Sequence, residues 1–155
     1  MILKKNANFT GFWAATANCK EEFMGRLNER IENFTKAFEL FQSAVKAYKS
    51  DVSNVIYHLA VVQSFEVCFE LGWKVLKDYL HQNGIEVSYP KEAIKEAFSK
   101  GTIQNGQIWI DMLKDRNATS HEYNMDKVDK VLEKISTIYF EELCRFMEQT
   151  KDFDE

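Results

Sequence analysis

The residues of this sequence best suited to chemistry lie in one short polar stretch, 111–123. It contains Arg116, Asn117, Ser120, His121 and Tyr123. An arginine guanidinium offers a planar pair of donors for phosphate, and a histidine can give or take a proton near neutral pH. Metal-free cleavage of a phosphodiester requires a base for the ribose 2′-hydroxyl and a cation for the charged phosphorane. The stretch therefore has the residue types needed to bind or cleave a nucleotide or RNA.

On one ideal helix these side chains do not converge. Arg116 and Tyr123 are seven residues apart and share a face, whereas His121 points about 140° away from Arg116. Two arrangements would bring the groups together: the helix ends near Ser120, or they meet partners across a subunit interface. Without either arrangement, the spacing alone indicates only a polar helix end.

Glu66 and Glu70 form a second candidate set. They stand four residues apart in the most apolar part of the sequence, so on a helix they share one face. Paired carboxylates can bind metal or perform acid–base chemistry, but no Glu-x-x-His sequence completes a di-iron site. Helical acids more often pair with lysine or arginine. We treat the two as candidate supporting acids and expect no metal and no cofactor.

Length and charge limit the classes of protein this chain can be. Its 155 residues suit a single domain. With 20 Lys and Arg against 24 Asp and Glu, the formal net charge is −4, which argues against a nucleic-acid binder that uses a large basic face. A small local site for a nucleotide or RNA remains compatible with this charge.

The cysteines and the apolar runs indicate a cytoplasmic protein. The three cysteines contain no CxxC pair, which gives no support for structural zinc, and we expect reduced thiols with Cys68 in the core. We find no apolar leader near residue 1 and expect no stretch that approaches the roughly 20 apolar residues of a membrane span. We therefore expect no membrane association.

The rest of the sequence predicts helices that would position these groups. Apolar residues recur every three or four positions from Phe23 to Tyr48, which predicts a helix over about 21–49. A second helix, about 52–82, is apolar on most sides and therefore central or in contact with a second subunit. Pro90 opens a short third helix, Asn105-Gly106 precedes a fourth, and a fifth begins near Asn124.

Together these elements predict an all-α fold, an antiparallel, up-and-down bundle of four long helices plus a short one. The predicted bundle domain covers 21–150. Residues 1–20 show no clear period and are interpreted as a variable N-terminal extension.

Four segments carry a resemblance to known proteins. The stretch 116–123 resembles the R-x4-H-x-Y signature of the HEPN superfamily, with Arg116, His121 and Tyr123 at its defining positions. Within that superfamily, segments 65–80, 90–98 and 111–121 resemble the nucleotidyltransferase substrate-binding protein family. The last two match its patterns P-[KR]-E-x-[IV]-[KR]-E-A-F and D-x-L-x-D-R-N-x-T-S-H.

The resemblance implies a HEPN-like helical bundle that forms a homodimer or a dimer of dimers, with a small nucleotidyltransferase as partner. In HEPN ribonucleases the Arg and His of the motif act without metal in a cleft between two protomers, and Arg116 and His121 match those positions. In a toxin–antitoxin branch the motif tyrosine accepts nucleotidyl groups, and Tyr123 matches it. Asn117 and Ser120 lie within the motif as candidate phosphate-binding residues.

Three functions follow from these observations. The first is a partner subunit of a minimal nucleotidyltransferase that binds nucleotide or presents the substrate, with a toxin–antitoxin pairing as one form of this role. The second is a metal-independent HEPN ribonuclease toxin that the nucleotidyltransferase neutralises. The third, a purely structural oligomeric bundle, would have no use for Arg116 or His121. Whether the chain is itself an enzyme stays open.

Overall fold

Helices make up most of this computed structural model, which describes the backbone of residues 9–119 and 125–153 and the side chains of 22, 24–119 and 128–153. In those ranges the elements are α1 (Phe9–Ser50), α2 (Val55–Gln82), α3 (Pro90–Ser99), α4 (Gly106–Thr119), α5 (Met125–Lys134), a π-helical turn (Ile135–Tyr139), α6 (Phe140–Gln149) and a short 3-10 turn (Thr150–Asp152). No strand occurs within these ranges. The predicted all-α bundle is confirmed. Its four long helices are α1, α2, α4 and the continuous helix made of α5, the π turn and α6, and its short helix is α3.

Helices α1 and α2 form the central antiparallel pair. Phe41 packs against Phe65, and two turns nearer the start of α1 the ring of Phe34 lies over Gly72. A Cβ on Gly72 would stand 3.2 Å from that ring, which is tighter than ordinary van der Waals contact, so glycine permits the close approach of the two helices. The helices α4 and α6 cover the same core through Trp109 and Phe146, whose rings meet edge to face at 5.0 Å.

Local hydrogen bonds explain where α2 begins and ends. The side chain of Asn54 accepts the N–H of Ile56 at 3.0 Å and is the N-cap, so the helix begins three residues later than the predicted position 52. At the other end Gly84 takes a positive φ of 78°, and the N–H of Ile85 bonds to the carbonyl of Leu80. This is a glycine-terminated helix end, for which the sequence Asn83-Gly84 is typical.

The last long helix contains an irregularity that the spacing did not reveal. The spacing of apolar residues by three and four predicts that Ile135, Ile138 and Tyr139 share one face of this helix. In the structure Ile135 and Tyr139 are buried, but Ile138 is exposed, because the π-helical turn inserts there and rotates the helix face that follows. The assignment of Ile138 to the core was therefore wrong.

Helix α1 begins at Phe9, earlier than the predicted residue 21. Its first turns carry no apolar period, which is why the pattern alone did not locate them. The division of the chain into an extension, 1–20, and a bundle domain, 21–150, stays a prediction.

By length and mean hydropathy alone, α2 is, among the described residues, a helix that could cross a membrane. This finding differs from the expectation, made from the sequence, that no stretch of the chain is long and apolar enough to span a membrane. Core helices of bundles meet the same criteria, and α2 has that position here, with eleven residues buried: His58, Val61, Phe65, Cys68, Phe69, Gly72, Trp73, Val75, Leu76, Asp78 and Leu80.

Candidate functional site

The last turn of α4 lies against the middle of α2. The hydroxyl of Thr119 donates to Glu66 Oε1 at 2.7 Å and also lies 3.2 Å from the carbonyl oxygen of Arg116. The first contact joins the end of α4 to a carboxylate of α2, and the second lies within the last turn of α4. Glu66 therefore helps to position the turn that carries Arg116.

Arg116 projects from this turn towards the next acid of α2. Its Nη2 lies 3.6 Å from Glu70 Oε2, and its Nη1 donates to Asn117 Oδ1 at 3.2 Å. The side chains of Arg116 and Glu70 are each about one-third exposed, at 34%, so a solute can reach the pair. The structure thus brings together three of the predicted residues, Arg116, Asn117 and Glu70, with Glu66 one helical turn away on α2.

Two further donors converge on Glu70. The indole Nε1–H of Trp73 donates to Oε2 and the ammonium of Lys74 contacts Oε1, both at 2.9 Å. Burial by itself would raise the pKa of Glu70. The hydrogen bonds from Trp73 and Lys74 and the charges of Lys74 and Arg116 outweigh it and hold the pKa below its usual value. Glu70 is therefore a charged carboxylate within a ring of donors.

Asp115 anchors the other side of the same turn. Its Oδ2 accepts from Lys134 Nζ at 2.5 Å and from the hydroxyl of Tyr139 at 2.6 Å. Burial, the hydrogen bond to Asp115 and the negative charges of Asp115 and Asp111 raise the pKa of Tyr139, so the phenol stays protonated and donates. The π turn that contains Tyr139 is thereby bonded to the residue preceding Arg116.

Trp73, Lys74, Asp115, Lys134 and Tyr139 are the site residues that sequence reasoning missed. Lys74 follows Glu70 by four residues, a spacing that could have indicated the ion pair. Asp115 adjoins Arg116 in the polar stretch, but nothing in the sequence indicates its partners on the last helix. The contact of Tyr139 with Asp115 depends on the π turn, which left no signal in the apolar spacing.

Ser120, His121 and Tyr123 lie outside the described residues. The roles assigned to them, and the two arrangements considered for His121, stay predictions. The structure describes α4 as far as Thr119. The geometry of the site therefore covers Glu66 and Glu70 on α2 and Arg116, Asn117 and Thr119 on α4.

The histidines of α2 do not join this site. His58 lies 2.7 Å from the carbonyl oxygen of Val52 through Nε2, while its Nδ1 is 3.6 Å from Asp129. His81 pairs with Glu86. His58 is buried, and its backbone contact gives it a local structural role.

Neither Cys68 nor any group of metal-ligating side chains adds to the site in the described part of the chain. Cys68 is buried, as predicted, and burial raises the pKa of its thiol. Across the described part of the chain, no three His, Cys, Asp or Glu side chains group as metal ligands would.

An exposed apolar strip of α2 leads up to the acidic pair. Ile56, Leu59 and Val67 are exposed by 72%, 59% and 43%. Their spacing places them along one side of α2, which continues into Glu66 and Glu70. This side of α2 therefore presents apolar surface to solvent next to the acidic pair.

The chain matches the family described as nucleotidyltransferase substrate binding protein like over residues 29–152. It is 30% identical over 100 residues to the probable ribonuclease HepT of Haemophilus influenzae. This match covers 60% of this chain and 68% of that protein. It is also 21% identical over 131 residues to the isoleucine–tRNA ligase of Buchnera aphidicola. That match covers 82% of this chain but only 14% of the ligase.

A crystal structure from Thermus thermophilus has a similar fold, with a TM-score of 0.56 and 25% sequence identity. The match covers 74% of this chain and 98% of that one. The fold and the motif segments define a HEPN-type helical bundle. The chain belongs to the nucleotidyltransferase substrate-binding-protein-like family, which confirms the family predicted from the sequence.

Proposed function

We propose that this protein binds the phosphate of a nucleotide or RNA at the end of α4 and acts as the substrate-binding subunit of a small nucleotidyltransferase. The partner enzyme, the homo-oligomeric state and a cytoplasmic location are parts of this proposal. The observation that carries it is the placement of Arg116, the arginine of the R-x4-H resemblance, on a tethered helix end with one-third of its side chain exposed.

The local charges support phosphate as the ligand. Arg116 and Lys74 both lie around Glu70, and the Trp73 indole adds a neutral donor. Guanidinium and ammonium groups are the side chains that bind phosphate most strongly. Because this site is small, it fits a protein whose overall charge of −4 disfavours extended contact with nucleic acid.

The exposed strip of α2 supports self-association next to the site. A second copy packed on Ile56, Leu59 and Val67 would cover apolar surface that one bundle leaves in water. It would also bring a second set of motif residues towards Arg116. The site would then form at the interface of two protomers, as the resemblance to HEPN proteins implies.

Binding can be tested with Arg116→Ala and, as a control, Arg26→Ala. Arg26 and Arg30 both contact Asp78, so removing Arg26 deletes the same charge and leaves Asp78 paired. Wild type and both variants are titrated with adenosine triphosphate and with a short fluorescein-labelled RNA, and the affinity of each protein for each ligand is measured. Loss of a charged hydrogen bond, about 1.5–3 kcal/mol, predicts roughly 10- to 100-fold weaker binding for Arg116→Ala only. Equal binding by wild type and both variants would exclude the proposed site.

The nucleotidyltransferase partner can be tested by co-expression with a small nucleotidyltransferase from the same genome, in the presence of adenosine triphosphate. A stable complex with unchanged intact mass supports the substrate-binding subunit. A nucleotidyl mass added at Tyr123 supports the toxin–antitoxin type of pairing. No complex at all would count against the proposed partnership.

A metal-independent ribonuclease is the second candidate, favoured by the similarity to a probable ribonuclease. Here Arg116 and His121 would act as a unit, so each single alanine variant should lose nearly as much rate as the double variant. The loss should be roughly 100-fold or more. RNA cleavage in the presence of a chelator, abolished by either substitution, would support this activity, and intact RNA would count against it. If binding and cleavage are the same in all variants, the motif is structural and the chain is an oligomeric bundle.

A further inference from the structure

The donors around Glu70 are arranged as in an anion-binding site, and the anion that they bind in this structure is the Glu70 carboxylate itself. Three groups from two helices converge on this one carboxylate. Trp73 Nε1 and Arg116 Nη2 approach Oε2, at 2.9 and 3.6 Å, and Lys74 Nζ approaches Oε1 at 2.9 Å. Two of the three donors are cations, and all three are groups that donate equally well to a phosphate oxygen.

Glu70 can leave this ring without disrupting the core. Its side chain is 34% exposed, and the side chains of Lys74 and Arg116 are exposed by 35% and 34%. Of the three donors, Trp73 is the buried member, so it supplies a fixed wall to the site. The Arg116–Glu70 separation of 3.6 Å is longer than the about 2.7–2.9 Å of a charged hydrogen bond, which indicates a loose pairing held mainly by charge.

We propose that Glu70 is an internal competitor for the phosphate site, and that a phosphate group binds by displacing its carboxylate from Arg116, Lys74 and the Trp73 indole. The ligand is a phosphate carried by a nucleotide or by RNA. This inference rests on the proposed function and adds to it a role for Glu70, whose carboxylate occupies the donors until the ligand arrives. Competition with the Glu70 carboxylate would also lower the affinity of the site for every anion, so that weakly binding anions would not occupy it.

The alternative role for Glu70 is to hold Arg116 in position for the ligand. The two roles predict opposite effects of removing the charge. An internal competitor restricts binding, so Glu70→Gln strengthens it. A positioning carboxylate supports binding, so the same change weakens it.

The experiment compares wild type, Glu70→Gln and Glu32→Gln. Glu32 is the matched control because it also pairs with a lysine four residues on, Lys36, at the surface of α1. Both substitutions remove one negative charge, so an effect of net charge alone would appear in both. We expect Glu70→Gln to bind inorganic phosphate about tenfold tighter than wild type, equivalent to about 1.4 kcal/mol, and Glu32→Gln to bind like wild type.

The indole N–H resonance of Trp73, assigned with Trp73→Phe, reports binding at the site itself. In wild type it should shift on phosphate addition because its acceptor changes from carboxylate to phosphate. Lys74→Met should weaken phosphate binding, whereas Lys77→Met, a lysine of the same helix outside the ring, should not. A Trp73 resonance that does not respond at saturating phosphate would overturn the inference.

Parallel titrations with adenosine triphosphate and with a short RNA identify which phosphate carrier the site prefers. They also separate this inference from the proposed function. If Arg116→Ala loses binding but Glu70→Gln binds no tighter than wild type, the phosphate site stands and the competitor role is wrong. If neither wild type nor Glu70→Gln binds any of the three probes, both are wrong.

Discussion

The hydrogen bond from Tyr139 to Asp115 links the π turn to the site, and Tyr139→Phe removes it with little other change. The ring of Tyr139 stacks on Phe65 at 5.5 Å and would keep that contact as phenylalanine. A hydrogen bond to a charged group contributes about 1.5–3 kcal/mol. Asp115 retains Lys134 at 2.5 Å, so the carboxylate is not left unpaired, and we expect a loss near the lower end, about 1–2 kcal/mol.

The pH dependence of this loss follows from the raised pKa of Tyr139. In the unfolded chain a tyrosine ionises near pH 10, whereas in the folded protein burial and the nearby carboxylates keep the phenol neutral to higher pH. The stabilisation is therefore complete below about pH 10 and decreases as the pH rises from there towards the folded-state pKa. Phenylalanine has no such ionisation, so the difference between wild type and variant should shrink above pH 10.

Urea denaturation followed by tryptophan fluorescence at neutral pH and above pH 10 measures both effects. In a thermal unfolding experiment at neutral pH, the same loss of free energy would lower the melting temperature by about 3–6 °C for a domain of this size. Tyr89→Phe is the control, because Tyr89 is 72% exposed and should change neither value. Equal stability of Tyr139→Phe and wild type at neutral pH would refute the reasoning. A difference between them that grows above pH 10 would refute the ionisation argument.

The other predictions concern thiol reactivity, a buried carboxylate and self-association. Cys68 should react with a thiol reagent far more slowly than Cys144, because burial raises its pKa and blocks access; peptide mapping that finds equal labelling would contradict this. Glu142→Ala should lower the free energy of unfolding by about 3 kcal/mol, measured by urea denaturation, since the buried Trp109 indole N–H then loses its acceptor. A loss below about 1 kcal/mol would contradict this estimate. Leu59→Glu should shift sedimentation towards monomer with an unchanged helical circular dichroism spectrum, and an unchanged sedimentation coefficient would count against the proposed interface.

Apolar spacing was sufficient to predict the helices because each long helix buries one regular face. Phe34, Phe41 and Phe65 lie in the core as their positions required. The spacing could not locate the π turn, because one inserted residue changes the register without changing composition. The exposed position of Ile138 is the consequence. It also could not locate the first turns of α1, which have no repeating apolar face.

The candidate site was predictable only in part, because its residues come from different helices. Arg116 was found from its residue type and motif, and Glu70 from its position in an apolar helix. Their 3.6 Å contact depends on how α4 crosses α2, which no pattern within one helix encodes. The same holds for Lys134, which reaches Asp115 from a helix later in the chain.

The structure holds the turn of Arg116 from two sides. Thr119 bonds to Glu66 on α2, and Asp115 bonds to Lys134 and to Tyr139 of the π turn. Arg116 lies between these two anchors in sequence, so the helix end that carries it is restrained while its side chain remains partly exposed. A restrained backbone with an accessible cation lowers the entropic cost of binding phosphate. Substitutions at either anchor should therefore weaken phosphate binding without touching the ligand, and loss of both anchors should weaken it more than either one alone.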